Sequence, residues 1–309
     1  MSIVIDSHIP YLVEAVRNAW PEVDIFPLES EKIDAKAVHD ADVLVVRTRT
    51  QVNEALLSGS SVRLVCTATI GFDHIDTAYC ESHGIRWMAC PGCNAQAVCD
   101  YIEEALEEYL YTIHHTPYTI GVVGVGHVGS LVAKMAERRG LKVLLNDPPK
   151  GIGILLDDIA HNCDIITFHV PLDKTTYHLC DATFLAQCKP NALIINAARG
   201  GVVDEQALLR SGHPYILDTW ENEPHINTEV LQHAFRASMH IAGYSVEGKR
   251  NASQACLDTI AQTFSLPPVT LSPVKSHGDT ASGWLERITH QLLAAPDTFE
   301  SLRKNYPLR

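Results

Sequence analysis

Residues 118–147 read YTIGVVGVGHVGSLVAKMAERRGLKVLLND. An apolar run at 120–123 enters Gly124-x-Gly126-x-x-Gly129, an amphipathic pattern follows, and a second apolar run ends at Asp147. Strand, glycine turn, helix and strand in that order make a βαβ unit with parallel strands. The first glycine permits a tight turn, the second lets a pyrophosphate approach backbone N–H groups, and the third lets helix and strand pack closely. Asp147, eighteen residues after the third glycine, is placed to accept hydrogen bonds from the adenosine ribose hydroxyls. Its charge opposes a 2′-phosphate, and Pro148-Pro149 set no arginine beside it. The stretch therefore predicts a dinucleotide site that takes NAD in preference to NADP.

The same alternation extends in both directions. Downstream, "DIITFHV", "ALIINAA", "PYILDTW" and "SMHIA" read as further strands of one sheet. Upstream, "SIVI", "VDIF", "DVLVV", "RLVCTA" and "IRWMA" are strands, with helical patterns around 10–19, 34–40, 52–58 and 74–83. A long helix from residue 95 links the two parts, and its Glu103, Glu104, Glu107 and Glu108 read as a solvated face. A helical pattern returns from 245 to about 265. The fold class expected is α/β with two doubly wound parallel-sheet domains, the first flavodoxin-like and the second a Rossmann domain. The expected boundaries are 1–93 with 246–266 for the first and 94–245 for the second. The remainder, 267–309, holds one amphipathic helix, "SGWLERITHQLLAA", too short for a core of its own.

Composition narrows the partners. A formal charge of −13 repels nucleic acid and acidic membrane surfaces. No apolar stretch approaches the ~20 residues that span a bilayer. The opening MSIVIDSHIP reads as a strand and not a signal peptide, and nine cysteines without framework spacing suit a reducing, cytoplasmic compartment. "CPGC" at 90–93 has the spacing of a redox or zinc pair, but no second C-x-x-C accompanies it and no metal is expected; a hinge between the domains is the preferred reading.

Three strand ends carry the chemistry. "NAARGGVVDE" presents Arg199, "LDTWENEPH" presents Asp218 and Glu223, and "SMHIAGYS" presents His240. Parallel strands bring these ends to one edge, where the nicotinamide lies. An arginine there can clamp a carboxylate bidentately, a histidine can take a hydroxyl proton, and a glutamate can hold the imidazole and stabilise its charge. Read singly, each residue also suits a surface turn, a helix start or a core. In a strongly acidic chain, Arg47, Arg49 and Lys249 are the candidate charges for a substrate phosphate.

With these residues in place, the sequence resembles the D-2-hydroxyacid dehydrogenase superfamily. The motifs "TATIGFDHID", "PGCNAQAV", "LLNDPPK", "TFHVPL", "WENEP" and "HIAGYSVEGK" fit its branch that oxidises 4-phospho-D-erythronate with NAD on a bacterial route to pyridoxal 5′-phosphate. The resemblance places the catalytic set on Arg199, Glu223 and His240, and substrate contacts on Thr48, Thr69 and Tyr244. It places NAD contacts on Asp147, Val170, Ala197, Ala198, Arg199, Asp218 and Gly243, and on the His127-Val128 backbone in the glycine loop. It also implies that the first domain is a substrate lid, that 267–309 is a dimerisation segment, and that the partners are a phosphorylated 2-hydroxy acid and a second copy of the chain. Two alternatives stay open: another dehydrogenase of the superfamily, of phosphoglycerate or glycerate type, and an NAD(H)-binding regulatory protein on the same scaffold.

Overall fold

The computed structural model describes residues 1–112, 118–274 and 283–308, so part of the expected C-terminal segment lies outside the described residues. The chain forms two compact units, Met1–Asn94 with Ser245–Ser276 and Ala95–Tyr244 with His277–Arg309.

The first unit is a parallel sheet of β1 (Ser2–Asp6), β2 (Asp24–Leu28), β3 (Val43–Val46), β4 (Leu64–Thr67) and β5 (Arg86–Met88), in the order β2-β1-β3-β4-β5. That is the flavodoxin-like order. Side chains alternate across a strand, so Ile3 and Ile5 enter one core while Val4 enters the other. Both faces are covered, which is why the strands read as unbroken apolar runs. The helix Val246–Phe264 supplies Ala252, Cys256, Leu257 and Ile260 to the first of these cores. Ser245 caps this helix by accepting the Gly248 N–H at 2.9 Å. A Cβ on Gly248 would lie 2.9 Å from the Asn94 Cβ, so the "SVEGK" motif is a cap followed by a close approach.

The second unit contains β6 (Thr119–Val123), β7 (Lys142–Asp147), β8 (Ile152–Gly153), β9 (Ile165–Phe168), β10 (Leu193–Asn196), β11 (Tyr215–Leu217) and β12 (Arg236–Ala237). Their order, β12-β11-β10-β9-β6-β7-β8, is a Rossmann sheet extended at each rim, and it reverses direction between β6 and β9. Helices Ala95–Thr112 and His127–Arg138 bury Tyr101, Ile102, Leu106, Val132 and Met135 in its core.

Three expectations need correction. The sheet is not wholly parallel: β8 pairs antiparallel with β7, because the Pro148–Lys150 turn and Gly151 (φ 65°) fold the chain straight back. "SMHIA" is not a strand; β12 ends at Ala237, and although Ser238 and His240 give their N–H groups to the Leu217 and Asp218 carbonyls, Ile241 and Ala242 give theirs to a side chain described below. The glutamate run is not simply solvated, since Arg139 bridges Glu103 and Glu107, and Glu108 pairs with Arg236 of β12. In the C-terminal helices Trp284–Ala294 and Phe299–Asn305, Trp284, Leu285, Leu292 and Phe299 are buried in the core of the second unit.

Candidate active site

Every parallel strand of the second unit ends on the same edge. At the switch point between β6 and β9, Gly124 has φ 89°, and a Cβ there would lie 2.7 Å from the His169 carbonyl. Gly129 packs its helix against the loop so tightly that a Cβ would meet the Gly124 oxygen at 1.9 Å. Gly126 precedes the helix His127–Arg138 and has nothing within 4 Å of its absent Cβ. The space a side chain would fill thus stands over a helix N-terminus, which suits the pyrophosphate of a dinucleotide.

Asp147 Oδ2 accepts the Val125 N–H at 2.8 Å, tying the ribose-side carboxylate to the glycine loop. Lys150, which the sequence reading passed over, lies 3.7 Å from that oxygen and donates to the Val125 carbonyl at 2.8 Å. Its ammonium is already committed to Asp147 and the loop, so it does not reverse the preference set by the carboxylate. NAD is expected to exceed NADP in kcat/KM by at least about 10², on the scale of one unscreened like-charge contact. Steady-state assays with both cofactors check this, and equal values refute it. Val170 borders the same loop, its Cγ1 being 2.8 Å from the position of a Gly124 Cβ. Beside it, burial pushes the His169 imidazole down to about 3, so that ring stays neutral next to Thr167.

The next three strand ends converge through hydrogen bonds. After β10, Asn196 is fully buried; its Oδ1 accepts the Ala198 N–H at 3.0 Å and its Nδ2 donates to the Arg199 carbonyl at 2.8 Å. Ala197 to Arg199 are therefore held by one amide. Gly200 follows because nothing larger fits: a Cβ would sit 1.9 Å from the Trp220 carbonyl oxygen. This contact sets the arginine loop against the loop that carries Glu223.

Asp218, 1% exposed, organises the residues after β12. Its Oδ1 accepts from Ser238 Oγ (2.6 Å) and the Ile241 N–H (2.7 Å), and its Oδ2 accepts the Ala242 N–H (3.0 Å). A carboxylate that takes these N–H groups replaces a strand partner, which is why β12 is short. His240 sits in the middle of this wrap at φ 58°, its own backbone N–H donating to the Asp218 carbonyl at 2.7 Å. Gly243 and Tyr244 complete the loop, the Tyr244 N–H donating to the Ile241 carbonyl.

Glu223 Oε2 lies 2.8 Å from His240 Nδ1, and Oε1 accepts the Trp220 N–H at 2.8 Å. Burial pushes the Glu223 carboxyl up, but the hydrogen bond and charge of His240, the Trp220 N–H and the charge of Arg303 outweigh it and hold the group below its ordinary value. An ionised carboxylate only accepts, so Nδ1 carries the proton and Nε2 is left to exchange one with a substrate.

Beneath this loop lies a carboxyl that the sequence reading missed. Glu205, 3% exposed, accepts the Glu221 N–H at 2.6 Å. Burial pushes it up to about 7, opposed by that N–H and reinforced by the charges of Glu221, Glu223 and Asp204. A folded-state value raised above the ordinary 4.5 favours the neutral acid. The associated stability is complete below the ordinary 4.5 and is lost as pH rises from there through about 7, by at most about 3 kcal/mol. Glu205→Gln is expected to remove this loss. Urea unfolding of both proteins at about pH 5 and about pH 8 tests it, and an unchanged pH difference in the variant refutes it.

The remaining predicted residues belong to the first unit. Val46 and Thr67 are paired across β3 and β4, so Arg47-Thr48 and Thr69 leave adjacent strand ends on one edge. Arg47 Nε donates to the fully buried Asp6 at 3.0 Å and its Nη2 to Ser30 at 3.3 Å, so this guanidinium already serves a carboxylate. Thr69 Oγ1 is 2.6 Å from Thr67 Oγ1 and donates to the Gly71 carbonyl, while Thr48 is exposed. Lys249 lies in the first turn of the helix Val246–Phe264, near Cys93. Cys90 is buried and donates towards the Thr67 and Ala252 carbonyls, and burial pushes the Cys93 thiol up to about 12. A thiol held protonated in this way is a poor nucleophile.

Residues 103–245 match the family model described as D-isomer specific 2-hydroxyacid dehydrogenase, NAD binding domain. Over its whole length the chain is 41% identical to the erythronate-4-phosphate dehydrogenase of Bacteroides thetaiotaomicron, 97% of which is covered. It is 37% identical to the enzyme of that name from Cronobacter sakazakii, again over the whole chain and 92% of the relative. Among solved structures, the NAD-bound 3-phosphoglycerate dehydrogenase of Entamoeba histolytica superposes with a TM-score of 0.72 at 24% identity, over 86% of this chain and 95% of that one. The chain belongs to the erythronate-4-phosphate dehydrogenase family of NAD-binding, D-isomer-specific 2-hydroxyacid dehydrogenases.

Proposed function

We propose that this protein oxidises 4-phospho-D-erythronate at C2 to 2-oxo-3-hydroxy-4-phosphobutanoate, a step towards pyridoxal 5′-phosphate. The observation that carries the reading is the Glu223–His240 pair, 2.8 Å apart at the sheet edge that also bears the dinucleotide loop, in a chain 41% identical to an enzyme of that name. Bound NAD supplies the hydride acceptor. Arg199 pairs with the substrate carboxylate and so turns C2 towards the cofactor side of the site. His240 Nε2 removes the C2 hydroxyl proton as the carbon loses its hydride, leaving a ketone. Glu223 holds the ring by Nδ1 and stabilises the imidazolium that forms. Thr48, Thr69, Tyr244, Arg47 and Lys249 are the proposed further substrate contacts. Asp147, Val170, Ala197, Ala198, Asp218 and Gly243 are the proposed NAD contacts, with the glycine loop beneath the phosphates.

Reduction of NAD followed at 340 nm with 4-phospho-D-erythronate, 3-phosphoglycerate and glycerate tests the assignment. A kcat/KM highest for the first supports it. Preference for either of the others replaces it, and NADH binding without turnover of any replaces it with a binding protein. No helix among the described residues is long and apolar enough to cross a membrane. All nine cysteines are unbridged, which supports a cytoplasmic location. Pairing of two copies through 267–309 rests on the family resemblance. A light-scattering mass of two subunits supports it, and a mass of one removes it.

A further inference from the structure

The proposed substrate is anionic at both ends, and Arg199 answers only the carboxylate. We propose that Arg303, carried by the C-terminal helix Phe299–Asn305, binds the distal phosphate and sets the selectivity for phosphorylated over unphosphorylated 2-hydroxy acids. This rests on the 4-phospho-D-erythronate reading above.

Packing brings this arginine to the site. Phe299 is fully buried in the core of the second unit, as are Leu285 and Leu292 of the preceding helix. Thr289 Oγ1 accepts the Ala237 N–H at 2.9 Å, so that helix is fixed to the strand that leads directly into His240. From there the Arg303 guanidinium reaches the Tyr244 side chain by a hydrogen bond and lies within range of the Glu223 charge. Both Glu223 oxygens are already bonded, to Trp220 N–H and His240 Nδ1, so Arg303 acts on this carboxylate through charge. Its nearest acid on the same helix, Glu300, is 3.6 Å away and half exposed.

The fit is chemical as well as positional. Arg303 Nε is buried and has no hydrogen-bond partner among the described residues. A guanidinium offers five donors in a planar fork, and leaving one buried and unmet is costly unless a ligand meets it. The fork matches phosphate oxygens bidentately. In a chain of charge −13, a partly buried cation beside the proton-transferring histidine is where an anionic ligand gains most. Tyr244, which Arg303 contacts, is itself a proposed substrate residue.

Arg303→Gln and Arg303→Lys, each checked for an unchanged melting temperature, are to be assayed on 4-phospho-D-erythronate and D-erythronate and for inhibition by inorganic phosphate. The expected result for Arg303→Gln is a KM for the phosphorylated acid raised at least about tenfold. The ratio of the two kcat/KM values falls by a similar factor, and phosphate inhibition weakens at least about tenfold. Arg303→Lys, which keeps the charge and loses the fork, falls between. An equal loss on both acids, or unchanged inhibition by phosphate, overturns the proposal and makes Arg303 a positioning residue for Glu223 and Tyr244. Should Arg303→Gln fail to fold, Arg303→Lys with wild-type phosphate inhibition and wild-type selectivity overturns it equally. A wild-type enzyme that prefers another 2-hydroxy acid defeats the substrate assignment instead, and the inorganic phosphate measurement then judges Arg303 by itself.

Discussion

His240→Asn is expected to lower kcat by at least about 10² while leaving KM and NADH affinity within a few-fold, the usual scale for loss of a general acid–base. His240 is held at three points: its backbone N–H on the Asp218 carbonyl, the next two N–H groups, of Ile241 and Ala242, on the Asp218 carboxylate, and its ring Nδ1 on Glu223. Asparagine tolerates the left-handed backbone of φ 58° better than most residues, so the variant tests proton transfer and not loop collapse. Its amide can replace the bond to Glu223 but cannot take a proton near neutral pH. Glu223→Gln, which keeps the shape and removes the charge, is expected to cost less. Steady-state kinetics read both, and a His240→Asn enzyme within tenfold of wild type in kcat defeats the assignment.

Gly200→Ala is expected to lower kcat/KM by about 10² although position 200 touches no reactant. The added Cβ would lie 1.9 Å from the Trp220 carbonyl oxygen and 2.5 Å from the Glu221 nitrogen, all backbone on the far side. Neither loop has a side chain that can swing away, so the loops themselves must separate. Arg199 sits on one and Glu223 on the other, and a displacement near 1 Å between positioning groups costs about 10² in rate. Overpacking of this kind also destabilises by about 1–3 kcal/mol. Gly126→Ala is the contrast: its Cβ has open space, so the fold is unaffected and the loss appears in NAD binding alone. Kinetics with thermal melts separate the two, and a Gly200→Ala protein with wild-type kcat/KM shows that the loops are not coupled.

The alternating pattern makes both sheets legible in the sequence, because parallel strands covered on two faces must be continuously apolar and their connections helical. Gly124, Gly126, Gly129 and Asp147 were legible for a related reason: their spacing is imposed by one short βαβ unit. Arg199, Glu223 and His240 were readable as strand-end residues, although "SMHIA" was assigned to a strand. Its apolar composition is real, but Asp218, distant in sequence, takes the N–H groups a strand would have given to a neighbour. Glu205 and Arg303 were not legible at all. Each looks like an ordinary helical surface charge, and only tertiary packing turns Glu205 under the Glu221 N–H or carries Arg303 to Tyr244. Lys150 was within reach, since a cation three positions after Asp147 in a tight turn has few other partners.

Thr289 has one more effect. β12 is a rim of its sheet, and a bare rim is a template on which a foreign strand can grow. Thr289 Oγ1 takes the outward Ala237 N–H and stands 3.1 Å from the Ala237 carbonyl, so a side chain on a covering helix seals that margin. The same clasp that steadies the histidine loop therefore guards the enzyme against polymerising through it, and Thr289→Val would weaken solubility and catalysis together.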